Sequence, residues 1–421
     1  MKRFLALALV AALPAMAFAQ AKTDVTLWTF QDLHAQYYQS AAKSWNAQHP
    51  DQQINLKTEV FPYDDMHNKL LISLQSGKGA PDIADIEISK FPNYLKGNIQ
   101  LAPLNDLLKP IQKDFIQARL DIYSKAGKFY GLPFHVGADM MYYNMDIMKA
   151  AGVDIDKIDT WADWVKAGIQ VKEKTGKPMT TIETTDQWSY WPLISQQDSD
   201  YTDKNGNITI DNATNVKTLQ FLHDLIYVQK IAIPTPGGFH HSEQYYGFMN
   251  DGGAATVWMP MWYMGRFTDY MPDLKGKMAI RPLPRWTKGG KRSAGMGGTG
   301  TAVTLQSKNL DLAKAFLVFA KGSREGAIQI WKQLGFDPAR WDVWNDPAMN
   351  ETNKFSEYFQ NKNIFLTLLE VKDEINPVNV NANMVRVIDQ IRQKSFVQVL
   401  GQNTKTAAEA LHEAAVEAAK Q

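Results

Sequence analysis

Apolar residues change their period repeatedly along the first ninety residues. Val25 to Phe30 (VTLWTF) is a short β-rich run. Leu33, Tyr37, Ala41 and Trp45 then recur every fourth position, which marks one face of a helix, and Pro50 ends it. Ile54 to Phe61 reads as a second strand. Met66, Leu70 and Leu74 mark a second helix, closed by Gly77 and Gly79 with Pro81 beyond. Ile83 to Ile88 reads as a third strand. Strands alternating with helices predict a mainly parallel sheet with helices on both faces. Ligands of such sheets sit beyond the carboxyl ends of the strands. That directs attention to Phe30 to His34, Pro62 to Asp65 and Asp85 to Lys90.

The pattern then breaks at a run that organises the whole chain. Gly127, Gly131 and Pro133 punctuate its start, an apolar run covers Phe134 to Tyr143, and Gly137, Ala138 and Asp139 interrupt it. Small residues inside an extended run mark a bend or a close approach. The run predicts a strand leaving one domain, a flexible break near Val136 to Asp139, and a strand entering another. Thr160-Trp-Ala-Asp163 has the form of a capping box, and its helix ends at Gly176. Gly295-Met-Gly-Gly-Thr-Gly300 leads into a strand at Thr301 to Leu305 and is a second candidate crossing. A third is expected within Arg340 to Asn350. The Ala-rich tail from Thr406 predicts a helix with Leu411, Ala415 and Ala418 inward.

The extreme N-terminus follows different rules. Lys2 and Arg3, the apolar run Phe4 to Leu13 and Ala17-Phe18-Ala19 have the form of a secretory signal peptide, with cleavage expected after Ala19. No later run approaches ~20 uninterrupted apolar residues. An exported chain of 421 residues with no cysteine relies on a large core rather than on disulfides. Zero cysteines also leaves no lipid-modified N-terminal cysteine, so a free periplasmic protein is expected. The net charge of +1 argues against a nucleic-acid footprint and suits a neutral ligand. With 12 Trp and 16 Tyr, the chain has many flat faces that a sugar ring can lie on, although core packing is the ordinary use of such residues.

Four features are candidates for chemistry. Gly295, Gly297 and Gly300 satisfy G-x-G-x-x-G, but a strand follows where a dinucleotide site needs a helix, so a hinge fits better. His240-His241 lacks a third spaced ligand and reads as a loop at a pocket rim rather than a metal site. Asp85 and Glu87 share one side of a strand with their backbones ~7 Å apart. They can serve glycoside hydrolysis, accept hydrogen bonds from sugar hydroxyls, or cap the next helix. Trp188 with Trp191, and Trp258 with Trp262, can line a cleft or fill a core. No residue set calls for a cofactor or metal.

Gly127 to Gly152, Thr160-Trp-Ala-Asp-Trp164, Phe248-Met-Asn-Asp-Gly-Gly-Ala-Ala255 and Gly297-Gly-Thr-Gly300 followed by the helix at Leu312 resemble the family 1 extracellular solute-binding proteins of sugar ABC importers. Further segments, Phe61 to His67, His240 to Met249, Trp262 to Leu274 and Leu334 to Trp344, are similar to the arabinose and arabino-oligosaccharide-binding branch. The resemblance implies a two-lobed α/β periplasmic-binding-protein fold, each lobe a mainly parallel sheet flanked by helices, joined by several hinge crossings. The expected division is a signal peptide over 1–19, one lobe over 20–136 and 300–345, and the other over 137–299 and 346–421. It implies a monomer that captures a neutral mono- or oligosaccharide, an arabinoside or alternatively a galactoside. The monomer would dock on the membrane permease subunits of an ABC importer. The cleft would be lined by Phe30, Gln31, Tyr63, Asp85, Glu87 and His135 from the first lobe. Trp188, Trp191, Trp258, Met261, Trp262 and the backbone of Gly298 would line it from the second.

Overall fold

The structure is a computed structural model and describes residues 21–420. The signal-peptide expectation therefore lies outside the described residues. The first lobe is built on β1 (Thr23–Thr29), β2 (Ile54–Val60) and β3 (Ile83–Glu87), with α1 (Asp32–Gln48) and α2 (Tyr63–Ser76) connecting them. β1 lies between β2 and β3, parallel to both, with Thr23 opposite Ile54 and Leu27 opposite Ile83. The strand Thr299–Val303 joins β3 antiparallel, and Leu132–Pro133 completes the edge. α1 buries Tyr37, Tyr38, Ala42 and Trp45, and α2 buries Met66, Leu70 and Leu74. α2 ends at Gly77 with φ 73°, a left-handed turn that glycine adopts without strain.

The second lobe departs from the expected parallel pattern. Its central strand, Asp139–Asn144, is flanked by Thr256–Pro260 and Met278–Arg281, both antiparallel to it. Parallel pairing there is found between Thr180–Ile182 and Ala232–Pro234 and in the single bridge of Thr160 with Arg285. The central strand is buried on both faces, so its near-continuous apolar run gives no alternation from which strand direction can be read. Thr160 and Asp163 form the capping box by reciprocal hydrogen bonds. The tail helix Ala407–Ala419 buries Ala407, Ala410, Leu411, Ala414 and Ala418, so Ala414 rather than Ala415 takes the inward place.

Three backbone segments pass between the lobes side by side. Ala138 pairs with Gly295, and Met296 N–H donates to the Gly137 carbonyl at 2.8 Å. His135 pairs with Pro338, and Val136 N–H donates to the Asp337 carbonyl at 2.9 Å. Ala339 still belongs to the first-lobe core and Arg340 pairs with Phe115 and Asp114, whereas Val343 and Trp344 belong to the second-lobe core, so the chain changes lobe between Arg340 and Val343. Gly137 has φ 82°, and a Cβ there would lie 2.0 Å from the Met296 carbonyl oxygen. Only glycine allows these two segments to lie so close.

Candidate functional site

A cavity of about 590 Å³ lies between the lobes. Its first-lobe wall comes from the carboxyl ends of β1 and β3 and the start of α2, as the sheet topology requires. Its second-lobe wall comes from loops and from the helix Met264–Tyr270. The lobes meet at one lip, where a Cβ on Gly265 would sit 3.1 Å from Leu33 Cδ2. The cleft is closed in this structure.

The first-lobe wall is a hydrogen-bonded scaffold. Asp85 is fully buried beneath it. It accepts from Thr29 Oγ1 at 2.8 Å, Tyr38 Oη at 3.0 Å and Thr301 Oγ1 at 2.7 Å, and His34 Nδ1 lies 3.0 Å away. Burial pushes its proton affinity up, but His34 and the buried Lys321 ammonium outweigh that and hold the carboxyl below its ordinary range. Lys321 Nζ donates to Thr301 Oγ1 at 2.6 Å. Glu87 lies two residues further on, at the cavity. One of its oxygens accepts from Tyr63 Oη at 2.9 Å, from Ser89 N–H at 2.8 Å and from Ser89 Oγ. Its other oxygen, Oε1, is buried without a protein partner. Burial raises the Glu87 pKa, and Ser89 and Tyr63 offset only part of the rise. Glu87 N–H donates to His67 Nε2 at 3.0 Å, so the proton of that ring sits on Nδ1, which faces the Tyr63 carbonyl at 2.6 Å. Burial lowers His67 to about 4 and keeps the ring neutral. His135 lines the cavity with both ring nitrogens unpartnered, and burial holds its pKa well below the ordinary value.

The second-lobe wall is aromatic. Trp188 meets Trp262 edge to face at 5.3 Å, and His241 stacks on Trp262 at 5.6 Å. Gly297 lies behind them, where a Cβ would come within 3.1 Å of Trp262 Nε1 and 3.2 Å of Trp188 Cζ3. Trp262 Nε1 and Gln187 Oε1 are buried without protein partners and, like Glu87 Oε1 and the His135 ring, belong to residues lining the cavity. A buried polar atom costs on the order of 1–3 kcal/mol when left unpaired, so these atoms are the ones free to bond to a polar ligand.

Of the twelve residues expected at the cleft, Phe30, Gln31, Tyr63, Glu87, His135, Trp188, Trp262 and Gly298 line the cavity. Asp85, Trp191, Trp258 and Met261 do not. Asp85 is consumed by its four neighbours below the floor. Trp191 is fully buried, donates from Nε1 to Asp200 Oδ1 at 2.9 Å and stacks on Tyr201. The helix begins only at Trp191, so Trp188 precedes it on a loop and the two rings share no face. Trp258 packs against Trp161 and Trp164 within its strand, whereas Trp262 follows Pro260 on a turn. Met261 is in the second-lobe core. At Gly298 a Cβ would lie 2.9 Å from Tyr123 Oη, so packing against the first lobe already demands glycine there. Gln187, His241, Tyr246, Arg266 and Arg392 also line the cavity and were not among those twelve. Arg392 sits on a π turn, Ile391–Ser395, with its Nε 3.3 Å from Asp186 Oδ1. No local spacing signals an arginine that reaches the cleft from so late in the chain.

Two α/β lobes closed over aromatic faces and unpartnered hydrogen-bonding groups define a two-lobed binding protein. The chain belongs to the bacterial extracellular solute-binding protein family, whose profile matches residues 30–327. It is 54% identical over 398 residues to the arabinooligosaccharide-binding protein of Bacillus subtilis (strain 168), covering 94% of this chain and 92% of that one. It is 52% identical over 392 residues to the arabinooligosaccharide-binding protein of Halalkalibacterium halodurans, covering 93% and 88%. Among solved structures it resembles the ABC transporter associated binding protein from B. animalis subsp. lactis Bl-04 in complex with beta-1,6-galactobiose. That likeness has a TM-score of 0.77 at 20% identity and covers 94% of this chain and 96% of the other, which shows the shared fold.

Proposed function

We propose that the protein captures a neutral oligosaccharide containing arabinose in the closed cleft and hands it to the permease of an ABC importer. The observation that carries this reading is the pairing of walls: Glu87 Oε1, the His135 ring, Gln187 Oε1 and Trp262 Nε1 offer both acceptors and donors around one cavity beside the Trp188 and Trp262 faces. Arabinosides are favoured over other sugars because of the names of the two relatives that share more than half of their aligned residues with this chain. Neutrality is supported by the lining, where Asp64, Asp65, Asp186 and Glu243 outnumber Arg266 and Arg392, a balance that disfavours a uronate. Binding without turnover is supported by Asp85, which lies saturated below the floor, so the pair of Asp85 and Glu87 is not available for acid–base work. The reading includes export by the N-terminal segment, a periplasmic location and a monomer.

Thermal-shift measurements against arabino-oligosaccharides, galactosides and uronate-bearing oligosaccharides test it, because a ligand of the folded state raises the melting temperature. Arabino-oligosaccharides should give the largest shift and be recovered unchanged by chromatography. A larger shift with a galactoside would move the specificity. Shortened products that vanish in Asp85→Asn would establish an enzyme instead.

A further inference from the structure

Glu183 follows the strand Thr180–Ile182 and is 1% exposed. It is not part of the cavity lining. Its Oε2 accepts from Trp188 N–H at 2.7 Å and from Ser189 N–H at 3.3 Å, and its Oε1 accepts from His240 N–H at 2.7 Å. Glu183 N–H in turn donates to Ser189 Oγ at 3.0 Å. One buried carboxylate thus satisfies three backbone donors in two separate loops, residues 184–189 and 235–241. Buried loops need such partners, since their amides have no ladder to join. Burial raises the Glu183 pKa well above the ordinary value, and the three backbone donors offset part of the rise.

These loops carry Trp188 and His241, two of the three rings that form the aromatic wall. The third, Trp262, meets both, and Trp188 and Trp262 rest on the second interlobe passage at Gly297. We propose that Glu183 is the positioning residue of this wall: it sets Trp188 and His241 against Trp262 from below, without touching the sugar. The ligand in this inference rests on the saccharide-binding reading, whereas the ring geometry does not. Arg392 also holds the 184–189 loop, with Nε 3.3 Å from the Thr185 carbonyl.

The test uses two readouts on the whole mature chain, arabinotriose affinity by calorimetry and the circular-dichroism exciton couplet of the Trp188–Trp262 pair without sugar. Trp188→Phe identifies the couplet by removing it. Glu183→Ala should lose the couplet and bind roughly tenfold or more weakly, with cooperative melting retained. Glu183→Gln keeps a carbonyl for Trp188 but turns an amide N–H toward His240 N–H, so it should keep most of the couplet and bind at an intermediate affinity. Wild-type couplet and affinity in Glu183→Ala overturn the proposal, as does weakened binding with the couplet intact. Should the alanine variant not fold, wild-type values of both readouts in Glu183→Gln overturn it. If the wild-type protein binds no arabinotriose, the saccharide reading falls, and the couplet in Glu183→Ala still decides the role of Glu183.

Discussion

The two walls of the cleft are built by opposite means. The first-lobe wall stands on strand ends, and its polar side chains are tied to one another: Tyr63, Ser89 and the His67 ring all converge on Glu87. The second-lobe wall stands on loops, and its rings are held by contact with each other and by backbone hydrogen bonds from below. The first wall offers fixed hydrogen-bonding groups, which read the hydroxyls of a sugar. The second offers flat area, which accepts many sugars. Selectivity in this reading belongs mainly to the first wall and affinity mainly to the second, and closure is needed for both.

The comparison breaks most sharply at the buried tryptophans. Trp191→Ala and Trp258→Ala should each cost about 3–5 kcal/mol of stability in denaturant unfolding, with the affinity of the folded protein little changed. An affinity loss without destabilisation would put these rings back into the wall. Between the walls, Asp337 accepts from Ala138 N–H at 2.8 Å through one oxygen while the other has no partner, and burial pushes its pKa from 3.8 up to about 6. A carboxyl raised in this way destabilises the folded state above its folded pKa, and that penalty fades as the pH falls from about 6 to 3.8. Asp337→Asn, which keeps the acceptor, should therefore gain up to about 3 kcal/mol near neutral pH and nothing below the unfolded pKa. A gain that does not vary with pH would contradict this. Trp262→Ala should weaken sugar binding by roughly tenfold while stability changes little. The smallest effect belongs to Glu87→Gln. Burial already favours the neutral carboxyl, so affinity should stay within about threefold, whereas Glu87→Ala leaves Tyr63 and Ser89 unpaired and should bind more weakly. Equal losses in the two variants would show that Glu87 acts as a charge.

The alternation of strand and helix through residue 88 was legible because α2 shows a clean four-residue period and the breakers Gly77, Gly79 and Pro81 follow it. The first two passages were legible from their glycines. The third, between Arg340 and Val343, has no glycine, and its neighbours Asp337 and Pro338 pair with Val136 and His135 through backbone atoms, which spacing does not reveal. The site was half legible for a related reason. Strand ends point to a cleft by topology, so Phe30, Tyr63 and Glu87 could be named, and only a downward turn of the Asp85 side chain was missed. Among the tryptophans, sequence could not separate Trp188 from Trp191, because their fates depend on whether the helix starts before or after Trp188.

The crystal structure of the complex with arabinotriose tests the central claim most directly. The account predicts one trisaccharide in the cleft, a ring lying on Trp188 or Trp262, and hydroxyls bonded to Glu87 Oε1 and to His135. A sugar that touches only one wall, or lies outside this cavity, would contradict it.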